Sequence, residues 1–252
     1  MSRIAGAFIR AVLVAFLIVY PGVALPVESQ VAIDLYGIVA LIGGAIVWVE
    51  YAFESPSIIE FRYCAPFNRL RYAGLMFLMV ILVFLFPENR SGSQLYLLLS
   101  GLSKLSLYLW NFQYSPVTVL AFVLGRGNPT STLHFAQMAA LALNFAIAST
   151  LVYAVVSRGF RSHLEDGTFN IYQNLPTTTL ASGGGPRIQL QAVAVLSIVL
   201  GVTLPFFIPF FIQSFQELVA GQPMAVRPAV VWAIALWAWV PAIAILRGVA
   251  LF

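Results

Sequence analysis

Apolar residues in this chain run in long unbroken blocks rather than alternating with polar ones. Six blocks stand out, at 4–25, 33–53, 72–87, 133–157, 188–212 and 229–247. A helix needs roughly 20 apolar residues to cross about 30 Å of hydrocarbon. Helix is also the open-ended structure that satisfies its own backbone polar groups in lipid. Each block therefore predicts a transmembrane helix. The connection 26–32 is short, so the first two spans form a hairpin. In "SPSIIEFRY" (55–63), Ser57 and Glu60 have capping-box spacing and Pro56 suits a helix start, so a short interfacial helix is expected there.

The stretch 94–125 does not fit one span. As a single helix it would be about 48 Å long, too much even with tilt. Arginine placement separates the alternatives, because basic residues collect on the cytoplasmic side. With one crossing here, Arg3, Arg10, Arg62, Arg69, Arg71, Arg126 and Arg227 oppose Arg90, Arg158, Arg161, Arg187 and Arg247. If the segment turns and returns, only Arg90, Arg126 and Arg227 stand against the other nine. The returning arrangement is the expectation, with a break at "WNFQYSP" (110–116) and both termini cytoplasmic. The chain then has six to eight transmembrane segments, depending on whether 94–125 crosses twice or is re-entrant. Further breaks are expected at Pro205 and Pro209, four residues apart, and at Pro241 in the last span. Trp232, Trp237 and Trp239 on that span are expected to face lipid or an interfacial belt.

Composition supports this reading. The chain is 61% hydrophobic and only 9% charged, against about 25% charged in soluble domains. No polar interval is long enough for a separate domain, so residues 1–252 are read as one transmembrane helical domain. The class is all-α, a polytopic integral membrane bundle. The net charge of +4 comes from arginines flanking the spans, which points to membrane orientation and away from nucleic acid. Arg3 and Arg10 followed by "AVLVAFLIVYPGVA" imitate a signal peptide, with Gly22 and Ala24 in cleavage-like spacing; a retained first span is expected. Cys64 is the sole cysteine, which excludes an internal disulfide and a cysteine metal cluster.

The best functional lead is Lys104, the only lysine, inside the apolar run 102–125. Ser100, Lys104, Tyr108 and Asn111 recur at spacings of four and three and stripe one helix face. An ammonium near mid-bilayer costs several kcal/mol unless it is paired, hydrated or buried among polar groups. The stripe is therefore expected to face other helices, a water-filled cavity or a partner subunit. Serines 100, 103 and 106 would let another helix approach closely. Secondary polar candidates are Asp34 and Glu50, near opposite ends of the second span, and Gln137 and Asn144 on the 133–157 span. Glu50 and Glu54 are expected in the cytoplasmic headgroup zone. The two amides are expected to act as interhelical hydrogen-bonding groups.

Catalytic signatures are missing. No phosphate-binding glycine loop and no HExxH motif occur, and no residue pattern identifies a cofactor or a metal. Gly101, Ser103 and His134 match a serine–histidine intramembrane protease poorly, because no second glycine follows to shape an oxyanion turn. A retinal pump would need its Schiff-base lysine in the final helix, and 229–252 has none. "HLED" (163–166) reads as solvated charge and "SGGGP" (182–186) as a hinge. Three functions stay open: a non-catalytic accessory or scaffold subunit of a bacterial inner-membrane complex, a small transporter or channel with a polar path around Lys104, and a lipid-modifying enzyme. The expected partners are the bilayer and other membrane subunits.

Overall fold

A computed structural model describes residues 3–25, 30–53, 58–62, 67–86, 93–126, 128–164, 186–218 and 227–251. These contain eight helices and no strand. They are α1 (Arg3–Ala24), α2 (Gln30–Ala52), α3 (Phe67–Phe84), α4 (Gln94–Trp110), α5 (Pro116–Gly125), α6 (Pro129–Leu164), α7 (Pro186–Leu218) and α8 (Arg227–Leu251). Six of the eight, all but α4 and α5, are long and apolar enough to cross a membrane. The chain is a polytopic helical membrane protein. Glu54, Ser57, Cys64, Glu165, Asp166 and the glycine run at 183–185 lie outside the described residues.

Contacts group the chain into two compact units. In the first, built mainly from residues 1–76, α1 and α2 pack as an antiparallel hairpin. Small residues make the approach close: a Cβ on Gly44 would lie 3.2 Å from the Ala11 carbonyl oxygen and 3.5 Å from the Ala15 Cβ. The segment 58–62 is a turn, not the expected interfacial helix. Glu50 explains the difference. Its Oε1 accepts hydrogen bonds from the Ile58 and Ile59 amides at 2.9 and 3.0 Å, and Phe61 takes a positive φ of 55° that ends any helical path. Glu50 is only 5% exposed, so it anchors this turn instead of facing the headgroup zone.

The second unit holds 77–159, 184–225 and 229–252. Its central element is α8, 56% of whose membrane window is buried, against 17–39% for the other spans. Trp237 and Trp239 are 0% and 2% exposed, which corrects the expectation that they face lipid; Trp232 is half-buried. The cause lies on α7. Pro209 has no N–H to give the Pro205 carbonyl one turn back, and the Trp237 indole Nε1 donates to that orphaned oxygen at 2.8 Å. Trp239 stacks on Phe145 of α6, with ring centroids 6.1 Å apart. Helices α7 and α8 meet at glycines. A Cβ on Gly201 would lie 2.7 Å from the Pro241 carbonyl oxygen, and one on Gly248 would lie 2.7 Å from that of Ala194.

The 94–125 region breaks where the prolines and polar residues indicated. Helix α4 ends at Asn111, and Tyr114 turns with φ 62°. Ser115 then caps α5, its hydroxyl accepting from the Val117 amide at 3.3 Å, with Pro116 at the first helical position. Leu107 of α4 and Phe122 of α5 line the same cavity, which a straight continuation would forbid at about 22 Å of separation. The segment bends at 111–115. With ten residues, α5 is about 15 Å long and too short to cross. Arg126 closes it in the left-handed conformation at φ 49°, and Asn128 caps α6 by accepting from the Thr130 and Ser131 amides.

Candidate functional site

Helix α4 owes its two faces to its sequence. Leu99, Ser103 and Ser106 recur at spacings of four and three and are its buried edge. The Ser103 hydroxyl donates to the Ser100 carbonyl at 2.9 Å, so it is engaged on its own helix. Lys104, Tyr108 and Asn111 lie roughly 110–170° around the helix from that edge. All three are exposed, Tyr108 by 83%, and Ser100 at the margin is half-buried. The four stripe residues thus share one face, and that face is turned out from the chain's own packing. Leu97 lies within it, and Leu98, Leu102, Leu105 and Leu109 flank it, all exposed. A Cβ on Gly101, between Ser100 and Lys104, would meet nothing within 4 Å. The result is an exposed polar strip with leucines on one side of it and the buried edge on the other.

The secondary polar candidates separate. Asp34 is exposed, near the start of α2, and Gln137 is half-buried on α6. Asn144 accepts a 2.8 Å hydrogen bond from Trp110 Nε1 at the end of α4. That bond joins α4 to α6 in the way expected of a membrane amide. His134 packs edge-on against Phe86, with ring centroids 5.7 Å apart, and its Nε2 is buried without a hydrogen-bond partner. Among the described residues, no three His, Cys, Asp or Glu side chains gather in metal-binding proximity.

The expected breaks at Pro205, Pro209 and Pro241 do not occur: α7 and α8 run continuously through them, since a lost backbone bond need not end a helix whose neighbours supply a partner. Pro205, Pro241 and the 111–115 break border a cavity of about 400 Å³. Trp110, Pro116, Pro205 and Pro241 all line it, with Leu143, Ile147 and Thr150 of α6 opposite. Its walls are mostly apolar, so it offers room to an apolar group. Lys104 is not among the lining residues. Neither the cavity nor the buried tryptophans were legible beforehand, because both depend on the register between helices distant in sequence. The proline positions were the only signal that bore on the cavity.

The chain matches no protein-family model, no curated protein and no solved structure.

Proposed function

We propose that this protein is a non-catalytic subunit of a larger membrane complex, docking through the outer face of α4 onto a partner transmembrane helix that offers a carboxylate to Lys104. The observation that carries the reading is the outward exposure of Lys104, Tyr108 and Asn111. An ammonium directed at hydrocarbon is costly, and a carboxylate from a second helix turns that cost into a charge-assisted hydrogen bond. The open surface at Gly101 lets such a helix come close. Exposed leucines beside the strip supply the packing area. The complex is assigned to a bacterial inner membrane with both termini cytoplasmic, since that orientation collects nine of twelve arginines on one side.

The proline-lined cavity supports a second reading, transport. The break between α4 and α5 borders it at Trp110 and Pro116, broken helices often line substrate sites, and the apolar walls here would select an apolar cargo over an ion.

Mild-detergent purification from native membranes tests the first reading. A co-migrating membrane protein is expected with the wild type and is lost with Lys104→Met, while the variant accumulates normally. A lone homogeneous wild-type protein would rule the subunit reading out.

A further inference from the structure

The first unit contains a basic cavity that the docking face of α4 does not involve. It lies where the N-terminal part of α1, the end of α2 and the start of α3 meet, and measures about 290 Å³, near the lower size limit of small-molecule sites. Arg10 of α1 and Arg69 of α3 line it, with Tyr51 of α2, Asn68 of α3, and the apolar side chains Leu13 and Val47.

The two guanidinium groups are available. Arg10 lies 4.7 Å over the Tyr51 ring and donates Nη1 to the Gly6 carbonyl at 2.7 Å. That fixes its direction and leaves most of its five donors unused. Arg69 is exposed and makes no hydrogen bond or ion pair with any described residue. Among the described residues no carboxylate lines the cavity: Glu50 Oε1 is turned to the Ile58 and Ile59 amides. The neighbouring arginines Arg62 and Arg71 do not line the cavity, although Arg62 lies 5.2 Å over the Tyr51 ring. Arg62 Nη2 donates to the Phe53 carbonyl at 2.6 Å, and Arg71 lies 5.3 Å over the Phe61 ring.

Two forked cations above an apolar floor, at the ends of membrane helices, match one ligand chemistry. We infer that this cavity binds a phosphate group, with Arg10 and Arg69 as the bidentate donors, and that the phosphate belongs to an anionic phospholipid headgroup. Guanidinium planes suit phosphate oxygens, and basic pockets between transmembrane helices take anionic headgroups. Leu13 and Val47 then meet the glycerol and the first acyl methylenes, contacts that a free phosphate lacks.

Native mass spectrometry of the intact chain in detergent micelles tests this, titrating phosphatidylglycerol against phosphatidylcholine with and without inorganic phosphate. Wild type is expected to prefer phosphatidylglycerol. Arg10→Gln and Arg69→Gln should each lower that preference about fivefold, and Arg126→Gln, at a residue that is not among those lining the cavity, should leave it intact. Arg69 has no hydrogen-bond or ion-pair partner to lose among the described residues, so its variant reads binding, and Arg69→Lys should restore part of the preference. Lipid that resists inorganic phosphate identifies the headgroup as the occupant. Complete displacement by inorganic phosphate would overturn the lipid assignment and leave a free-anion site. Wild-type preference in both glutamine variants, or an equal loss in Arg126→Gln, would overturn the site itself.

Discussion

At the scale of single residues, the fold is held by polar groups that answer specific backbone vacancies. Trp237 illustrates this, because its indole replaces the amide that Pro209 lacks. Trp237→Phe is expected to cost about 1–3 kcal/mol, mostly from leaving the Pro205 carbonyl unpartnered. In a Pro209→Ala background the alanine N–H reaches that carbonyl through the ordinary helical bond. The same Trp237→Phe change should then cost at least about 1 kcal/mol less. Equal costs in the two backgrounds, measured by thermal unfolding in detergent, would show that the bond has no such role. Glu50 works in the same way on two amides. Glu50→Ala should destabilise by about 1–3 kcal/mol and Glu50→Gln by less, since the amide oxygen still accepts. This is also where sequence reading failed. Ser57 and Glu60 are spaced for a helix start, but a carboxylate eight residues upstream and the positive φ of Phe61 impose a turn. Local pattern carries no information about a partner that far away.

At the scale of elements, what was legible follows length and proline. Six long helices and the break at 111–115 stem from apolar run lengths, Pro116 and the polar residues before it, whereas Pro205, Pro209 and Pro241 sit inside helices that continue through them. The helices α6 and α7, 36 and 33 residues long, overrun their expected boundaries because a helix need not stop where hydrocarbon stops. The stripe on α4 was legible as spacing. Its outward direction was not, because serines occupy both faces of the helix and only the packing of Leu99, Ser103 and Ser106 decides between them. Close helix contact separates two glycines in a testable way. Gly201→Ala puts its methyl 2.7 Å from the Pro241 carbonyl oxygen and should cost about 1–3 kcal/mol as α7 and α8 are forced apart. Gly101→Ala meets open space and should stabilise the isolated protein by about 0.5–1 kcal/mol. A large penalty at Gly101 in the isolated chain would mean that its surface is already packed.

At the scale of the whole molecule, the described residues pair a chain with few ionisable groups in its spans with a polar strip facing away from its own helices. The proposed orientation rests on charge, and it predicts that cysteine placed at Ser182 resists an impermeant reagent in sealed cells and reacts after permeabilisation. Strong labelling from outside would reverse the arginine assignment. The central claim is that the outer face of α4 meets protein and not lipid. The direct measurement is photo-crosslinking in native membranes, with the reactive side chain at Tyr108 and, as a control, at Leu98 on the apolar flank of the same helix. The expected result is a discrete adduct at Tyr108 that contains a second, different membrane protein and disappears in the Lys104→Met background, with weaker or no protein adduct at Leu98. Adducts to lipid alone at both positions, or only to another copy of this chain, would contradict the account.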